Sequence, residues 1–372
     1  MPSKQSIRVQ FPARAFIYKM EQKQENKESE PEKTKKSKDF YNRNYKLLLI
    51  IPVIIFILSI GYMSYFYSQN GDFIKKDVSL TGGTTVTIFS SEEIDVESLR
   101  NSLSDKLEDF SIRELSDFRS GKQAAVIVEG NVESSELKSI LEGILGYELT
   151  EENSSIEFSG PTLSQGFYHQ LIYAIILSFA FMAMVVLFIF GGNWRLKIFL
   201  IATNTIPYLL FRWGVLNITL AISCNLIILI LSVLIYFRTS IPSAAVVLSA
   251  FADILMTLAL VNFLGIRVSS AGIVAFLMLI GYSVDTDIML TTRLLKRKES
   301  GLNENLRDAF RTGITMTITS IVAITVALVL TQSFSEILKQ IFTILLIGLI
   351  FDILNTWITN ASILKWYLEA RK

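Results

Sequence analysis

Apolar runs close to twenty residues long recur along this chain, and four in its last third carry a charged or strongly polar residue where a lipid-facing helix has none. About 20 such residues cross roughly 30 Å of hydrocarbon as a helix. A carboxylate at the bilayer centre costs about 2.5 to 3.5 kcal/mol on insertion scales. Asp253, Asp285, Asp287 and Asp352 are therefore expected inside a helix bundle, along a polar pathway, rather than on lipid faces. The densest stretch, residues 281–293, reads GYSVDTDIMLTTR.

With 372 residues, 51% of them hydrophobic, and a mean hydropathy of +0.44, the chain reads as an integral membrane protein with a soluble part. Its formal charge of +1 hides a segregation. Residues 1–46 hold twelve Lys/Arg against six Asp/Glu, whereas residues 68–166 hold eight against nineteen. Two oppositely charged blocks separated by an apolar run imply two aqueous sides. Residues 1–46 are too polar to bury a core and read as a disordered cytoplasmic tail. Residues 47–67 follow as an uncleaved transmembrane anchor.

Periodicity changes between residues 68 and 166. Residues 84–90 alternate as a strand. Residues 95–107 place Val96, Leu99, Leu103 and Leu107 on one helix face with Asp95 as N-cap. Strands are expected at 110–118 and 123–129, a second amphipathic helix at 134–145, and a last strand at 147–158. This βαββαβ order is the split pattern of an α+β, ferredoxin-like domain. The membrane then resumes over 167–364, with spans expected at 167–190, 198–211, 214–237, 243–264, 271–290, 313–331 and 342–357. The second of these is short and polar enough to be re-entrant. Counting the anchor, about eight crossings result. Basic residues at 194–197, Arg238, 293–311 and the 365–372 tail place both termini in the cytoplasm of a multi-pass cell-membrane protein, with the acidic domain outside.

Spacing by four along a helix groups the polar residues into seams. Ser249, Asp253 and Thr257 form one; Ser283, Asp287 and Thr291 a second; Thr315 and Thr319, beyond Arg311, a third; Asp352, Thr356 and Asn360 a fourth. Asp285 lies about 200° around its helix from Asp287 and cannot share its seam. Desolvated carboxylates can exchange protons, with Arg311 near a helix end available to favour an ionised form. The competing reading is interhelical hydrogen bonding that merely holds helices together. In the external domain, Gly82 and Gly83 permit a turn or a close backbone approach. Cys224 cannot form an intrachain disulfide, the lone His169 precludes a His cluster, and no phosphate loop or nucleic-acid patch is present, so neither cofactor nor metal is expected.

The TGGT turn at 81–84, Gly160-Pro161-Thr162, FRTSIPS at 237–243, AFADI at 250–254, GYSVDTDIMLTTRLLK at 281–296, Arg311-Thr312-Gly313 and the 351–360 segment together resemble the SecD/SecF family, in its archaeal SecF form. The resemblance covers residues 47–190 and 226 onward. It implies a bundle akin to half a resistance-nodulation-division transporter, six crossings, an external ferredoxin-like domain, and a SecD-like partner. It further implies contact with the Sec channel and a translocating polypeptide, and a role for Asp253, the Asp285/Asp287 pair and Arg311 in a proton-coupled cycle. Residues 191–224 add a hairpin to that plan, and Ser79 stands where the family has an acid before the glycine pair, with Asp77 nearby. Two alternatives are an exporter of small molecules or lipids, which would carry two large domains and about twelve spans, and an intramembrane aspartyl protease, whose GxGD segment is missing here.

Overall fold

The computed structural model describes residues 44–89, 93–107, 109–117, 120–296, 301–333 and 335–371. Residues 1–48 and 49–372 form two units; of the disordered tail expected at 1–46, residues 1–43 lie outside the described residues and residues 44–46 are instead helical, as part of 44–48. In the second unit, α1 (Ile50–Asn70) leads through a one-turn helix, α2 (Val78–Thr81), into the first strand.

The α+β domain comprises β1 (Gly83–Ile88), α3 (Val96–Ser104), β2 (Phe110–Ser116), β3 (Gln123–Gly130), α4 (Ser134–Leu145) and β4 (Ser154–Ser159). Its antiparallel sheet has the order β2-β3-β1-β4, that of the ferredoxin-like fold. Asp95 caps α3 by accepting from the Glu97 and Ser98 amides at 3.0 and 3.3 Å. Alternation along β1 and β3 sends Val86, Ile88, Val126 and Val128 to one face, where Leu99, Leu103, Leu137 and Leu141 from the helices close the core. The last strand is shorter than the alternation of residues 147–158 suggests. The chain turns at residues 150–153, where Asn153 bonds back to the Thr150 amide and the Glu148 carbonyl, so pairing starts at Ser154.

The remaining helices are α5 (Pro161–Phe190), α6 (Trp194–Arg212), α7 (Ile218–Thr239), α8 (Ile241–Phe263), α9 (Ser270–Lys296), α10 (Leu302–Thr331) and α11 (Glu336–Leu354). The last runs through a π-helical segment (Asn355–Asn360) into α12 (Ala361–Ala370). Helices α8 and α9 lie innermost. Small residues on α8, among them Ser243, Ala244, Ala245 and Ala250, let its neighbours approach closely. By contrast α1, α7 and α10 expose Leu58, Ile227 and Val322, as lipid-facing helices do.

Seven described helices are long and apolar enough to cross a membrane, rather than eight. Helix α6 has 19 residues but is not one of them; it carries Arg195, Lys197 and Asn204. It nevertheless completes a hairpin. The Ser240 hydroxyl, just after α7, donates to the Phe190 carbonyl at the end of α5 at 3.4 Å, so the chain returns to the side it left.

The domain is tied to two loops of the bundle, at Arg267–Val268 and at Ser333. The amide of Val268 donates to the Lys75 carbonyl at 2.7 Å, and the amide of Asp77 donates to the Val268 carbonyl at 3.0 Å. Arg267 donates to Asp109 at 2.7 Å and to the Phe110 carbonyl, and the Ser116 amide donates to the Ser333 carbonyl.

Gly313 on α10 is packed directly against the Trp357 ring, which also sits edge-on to Phe310 at 5.1 Å. A side chain there must displace the indole. Gly313→Val is expected to destabilise the protein by about 1–3 kcal/mol, seen as a lower unfolding midpoint in detergent. Gly281→Val, where the added carbons meet open space, should leave the midpoint almost unchanged.

Candidate functional site

Three aspartates from three helices, Asp253 on α8, Asp287 on α9 and Asp352 on α11, are fully buried at 0% exposure. Ser283, one turn before Asp287 on α9, donates to one oxygen of Asp253 at 2.5 Å. Asn355 donates through Nδ2 to the other at 2.7 Å. Asn360 Nδ2 donates to Asp287 Oδ1 at 2.7 Å, and Thr356 Oγ1 donates to Asp352 Oδ1 at 3.1 Å. One six-residue π-helical segment thus supplies a donor to each of the three carboxylates. Asp287 Oδ2 and Asp352 Oδ2 are buried without a hydrogen-bond partner. A buried polar atom left unpaired costs about 1–3 kcal/mol or more.

The seams of α8, α9 and α11 converge on this layer: Ser249, Thr257, Ser283, Thr291, Thr356 and Asn360 are all buried around it. The seam of α10 does not. Thr315 and Thr319 are exposed, and α10 instead turns Gly313 and Thr317 inward. Arg311 is likewise exposed, away from the three carboxylates. Asp285 lies on the outer face of α9, exposed beside Tyr282, apart from Asp287. Asn355 was not among the residues singled out from the sequence. Counting by four from Asp352 reaches Thr356 and Asn360, while the widened π turn also brings Asn355 inward.

A second polar cluster lies where α2 meets the sheet of the domain. Asp77 and Glu129 are buried at 5% and 6% exposure, and Arg113 bridges them with a hydrogen bond to Glu129 and a 3.6 Å approach to Asp77. Asp77 also caps α2 by accepting from the Val78 amide at 2.7 Å. Ser79 Oγ accepts from the Ser270 amide at 3.3 Å. Gly82 and Gly83 follow with φ of 88° and 135°. A Cβ on Gly82 would strike Pro161 at the start of α5, and one on Gly83 would strike the Gly130 carbonyl. The glycine pair therefore lets the strand entering the domain and the helix leaving it cross at van der Waals contact.

Fold and site define a polytopic helical membrane protein with a buried carboxylate layer beneath one ferredoxin-like domain. The family model described as protein export membrane protein SecD/SecF, C-terminal, matches residues 210–370. The protein-export membrane protein SecF of Methanocaldococcus jannaschii is 34% identical over 331 residues, 88% of this chain and 96% of that protein. That of Methanolacinia petrolearia is 31% identical over 325 residues, 87% of this chain and 94% of its own length. In fold, the chain is similar to the crystal structure of SecDF, a translocon-associated membrane protein, from Thermus thermophilus. The TM-score is 0.54 at 16% identity, covering 88% of this chain and 38% of that one. The chain belongs to the SecF family of protein-export membrane proteins.

Burial and the adjoining Asp77 raise the Glu129 carboxyl from its ordinary 4.5 to about 7, against the opposing pull of Arg113. Burial alone would lower the Arg113 guanidinium, yet Glu129 and Asp77 hold it above its ordinary value. Between about pH 4.5 and 7 the folded protein binds the Glu129 proton that the unfolded chain has released. Stability therefore falls as pH rises through this window. Glu129→Gln should flatten that fall, read as hydrogen exchange of the β1 and β3 amides in the full chain at pH 5 and 7.5. An unchanged pH dependence in the variant would assign the slope to other groups.

Proposed function

We propose that this chain is an accessory subunit of the Sec protein-export machinery that pairs with a SecD-like membrane protein. In this reading it promotes outward movement of secreted polypeptides with energy from the proton, or another ion, motive force. The carrying observation is the layer in which Asn355, Thr356 and Asn360 hold one oxygen of each buried aspartate while Asp287 and Asp352 each keep an oxygen unpaired. A carboxylate that gains a proton changes from pure acceptor to donor and acceptor. Its contacts to the π segment must then rearrange. Helices α8 and α9 both end at the 264–269 loop, whose Val268 is hydrogen-bonded to Lys75 and Asp77 at the base of the domain, so a shift in either helix has a short path to β1.

Asp285 supports the pairing. A carboxylate exposed in the apolar stretch of α9 is costly against lipid and is relieved by a polar or cationic group on a neighbouring subunit. Charge segregation along the chain favours the plasma membrane with both termini on the cytoplasmic side and the domain outside.

Asp287→Asn and Asp253→Asn, in cells lacking the native chain, are each expected to reduce secretion of a reporter at least tenfold while leaving the protein in the membrane. Asp285→Asn is expected to weaken copurification with the SecD-like partner. Undiminished secretion in both inner variants would remove the ion-coupled role.

A further inference from the structure

The three aspartates of the carboxylate layer are at 0% exposure, so whatever reaches them from the domain side must pass a closed seam. That seam is α9 against α11. Leu279 stands four residues, about one turn, before Ser283, and Gly348 stands as far before Asp352. A Cβ on Gly348 would lie 2.5 Å from both methyl carbons of Leu279, so glycine is what admits the leucine. Leu279 is itself 0% exposed and packs with Phe276, Ile344, Leu345 and Leu349, an apolar barrier on the domain side of the carboxylates.

The bond from Ser283 to Asp253 aligns the antiparallel helices α8 and α9. Thr257, one turn beyond Asp253, therefore stands at the height of Leu279. It is 0% exposed, yet its hydroxyl has no hydrogen-bond partner. Threonines on α10 behave otherwise: Thr315, Thr325 and Thr331 each donate to a carbonyl on their own helix. Nearer the domain, Gln340 on α11 accepts through Oε1 from the Ser269 amide at 3.1 Å and from the Ser269 hydroxyl, and donates through Nε2 to the Arg267 carbonyl. Gly272 on α9 makes room for it, because a Cβ there would meet Oε1 at 2.8 Å. The domain holds the same loop from the other side, through the bonds of Val268 to Lys75 and Asp77.

We propose that Leu279 seated on Gly348 is the domain-side gate of the ion route, and that Gln340 is the latch through which the domain controls it. The inference rests on the ion-coupled reading above. Packed helices shift between discrete seats rather than deform continuously. A pull on Val268 competes with Gln340 for the loop. Once those bonds part, α9 slides on α11, Leu279 leaves its notch, and water reaches the Thr257 hydroxyl and then Asp352 and Asp253.

Cys224 is the single cysteine of the chain, so Thr257→Cys in a Cys224→Ser background reports water at the gate. The full chain in liposomes is treated with a small water-soluble methanethiosulfonate, and labelling is followed by intact mass. Labelling should be slow with the native seam and about tenfold faster with either Leu279→Ala or Gln340→Leu. Gln340→Leu leaves the seat of Leu279 intact, so it decides the matter if Leu279→Ala does not fold. Ser232→Cys, at a position 1% exposed on α7, should stay slow in both variants, which separates an opened gate from a loosened bundle. Fast labelling at position 257 with the native seam, an unchanged rate in Gln340→Leu, or a parallel rise at position 232 would overturn the proposal. Labelling requires no ion movement. A gate that opens as expected, beside undiminished secretion in Asp253→Asn and Asp287→Asn, would remove the ion-coupled role and leave the gate.

Discussion

Three carboxylates buried in a bundle must be given hydrogen-bond donors from within the protein, and nearly every other feature of the membrane half serves that demand. Apart from Ser283 on α9, the donors come from one place, the π-helical segment that joins α11 to α12. A π turn widens the helix and breaks the regular ladder, so it persists where surrounding packing enforces it. Here Trp357 supplies the packing, wedged against Gly313 and Phe310. For the three donors to reach three helices, α8 and α9 must approach the last helix closely, and the alanine- and serine-rich surface of α8 permits that approach. The polar layer and the small-residue packing are one constraint seen from two sides.

How much of this was legible in the sequence follows from the same geometry. The seams on α8 and α9 could be read because Asp253 and Asp287 sit in regular helix, where spacing by four identifies a face. On α10 the rule picked out Thr315 with Thr319, whereas the bundle turned Gly313 and Thr317 inward because a helix face pressed on Trp357 needs glycine. A threonine on a lipid-facing helix satisfies its hydroxyl on its own backbone, as Thr315 does on the Arg311 carbonyl at 2.8 Å, so polarity there carries little information about direction. Asn355 was hidden by a change of helical pitch, which no fixed spacing anticipates.

The domain shows the complementary limit. Its strands and helices followed from alternation and a cap at Asp95, local signals that survive without tertiary context. The Asp77, Arg113 and Glu129 cluster did not, because its members lie on separate elements and meet through sheet register: Ser111 opposite Glu129, and Glu129 opposite Thr85. Thr85 follows the glycine pair by two residues. The turn that seemed an ordinary loop signal thus sets the height at which these charges meet.

The number of apolar spans and the path of the chain are separate questions, and α6 makes the difference visible. By composition it falls short of the other helices, which would suggest that an odd number of crossings separates the ends of the bundle. The bond from Ser240 to the Phe190 carbonyl excludes that path, because it brings the end of α7 back beside the end of α5. Asn225 on α7, whose Nδ2 donates to the Tyr173 hydroxyl at 3.2 Å and to the Ala221 carbonyl at 3.0 Å, pins the hairpin to α5 partway along. A helix too polar to stand alone in lipid can be held there by neighbours that shelter its polar groups. Asn204, 3% exposed and donating to the Leu200 carbonyl at 2.8 Å, is sheltered in this way. The hairpin can therefore be added at the flank of the bundle while α8, α9 and α11 keep the contacts that hold their aspartates.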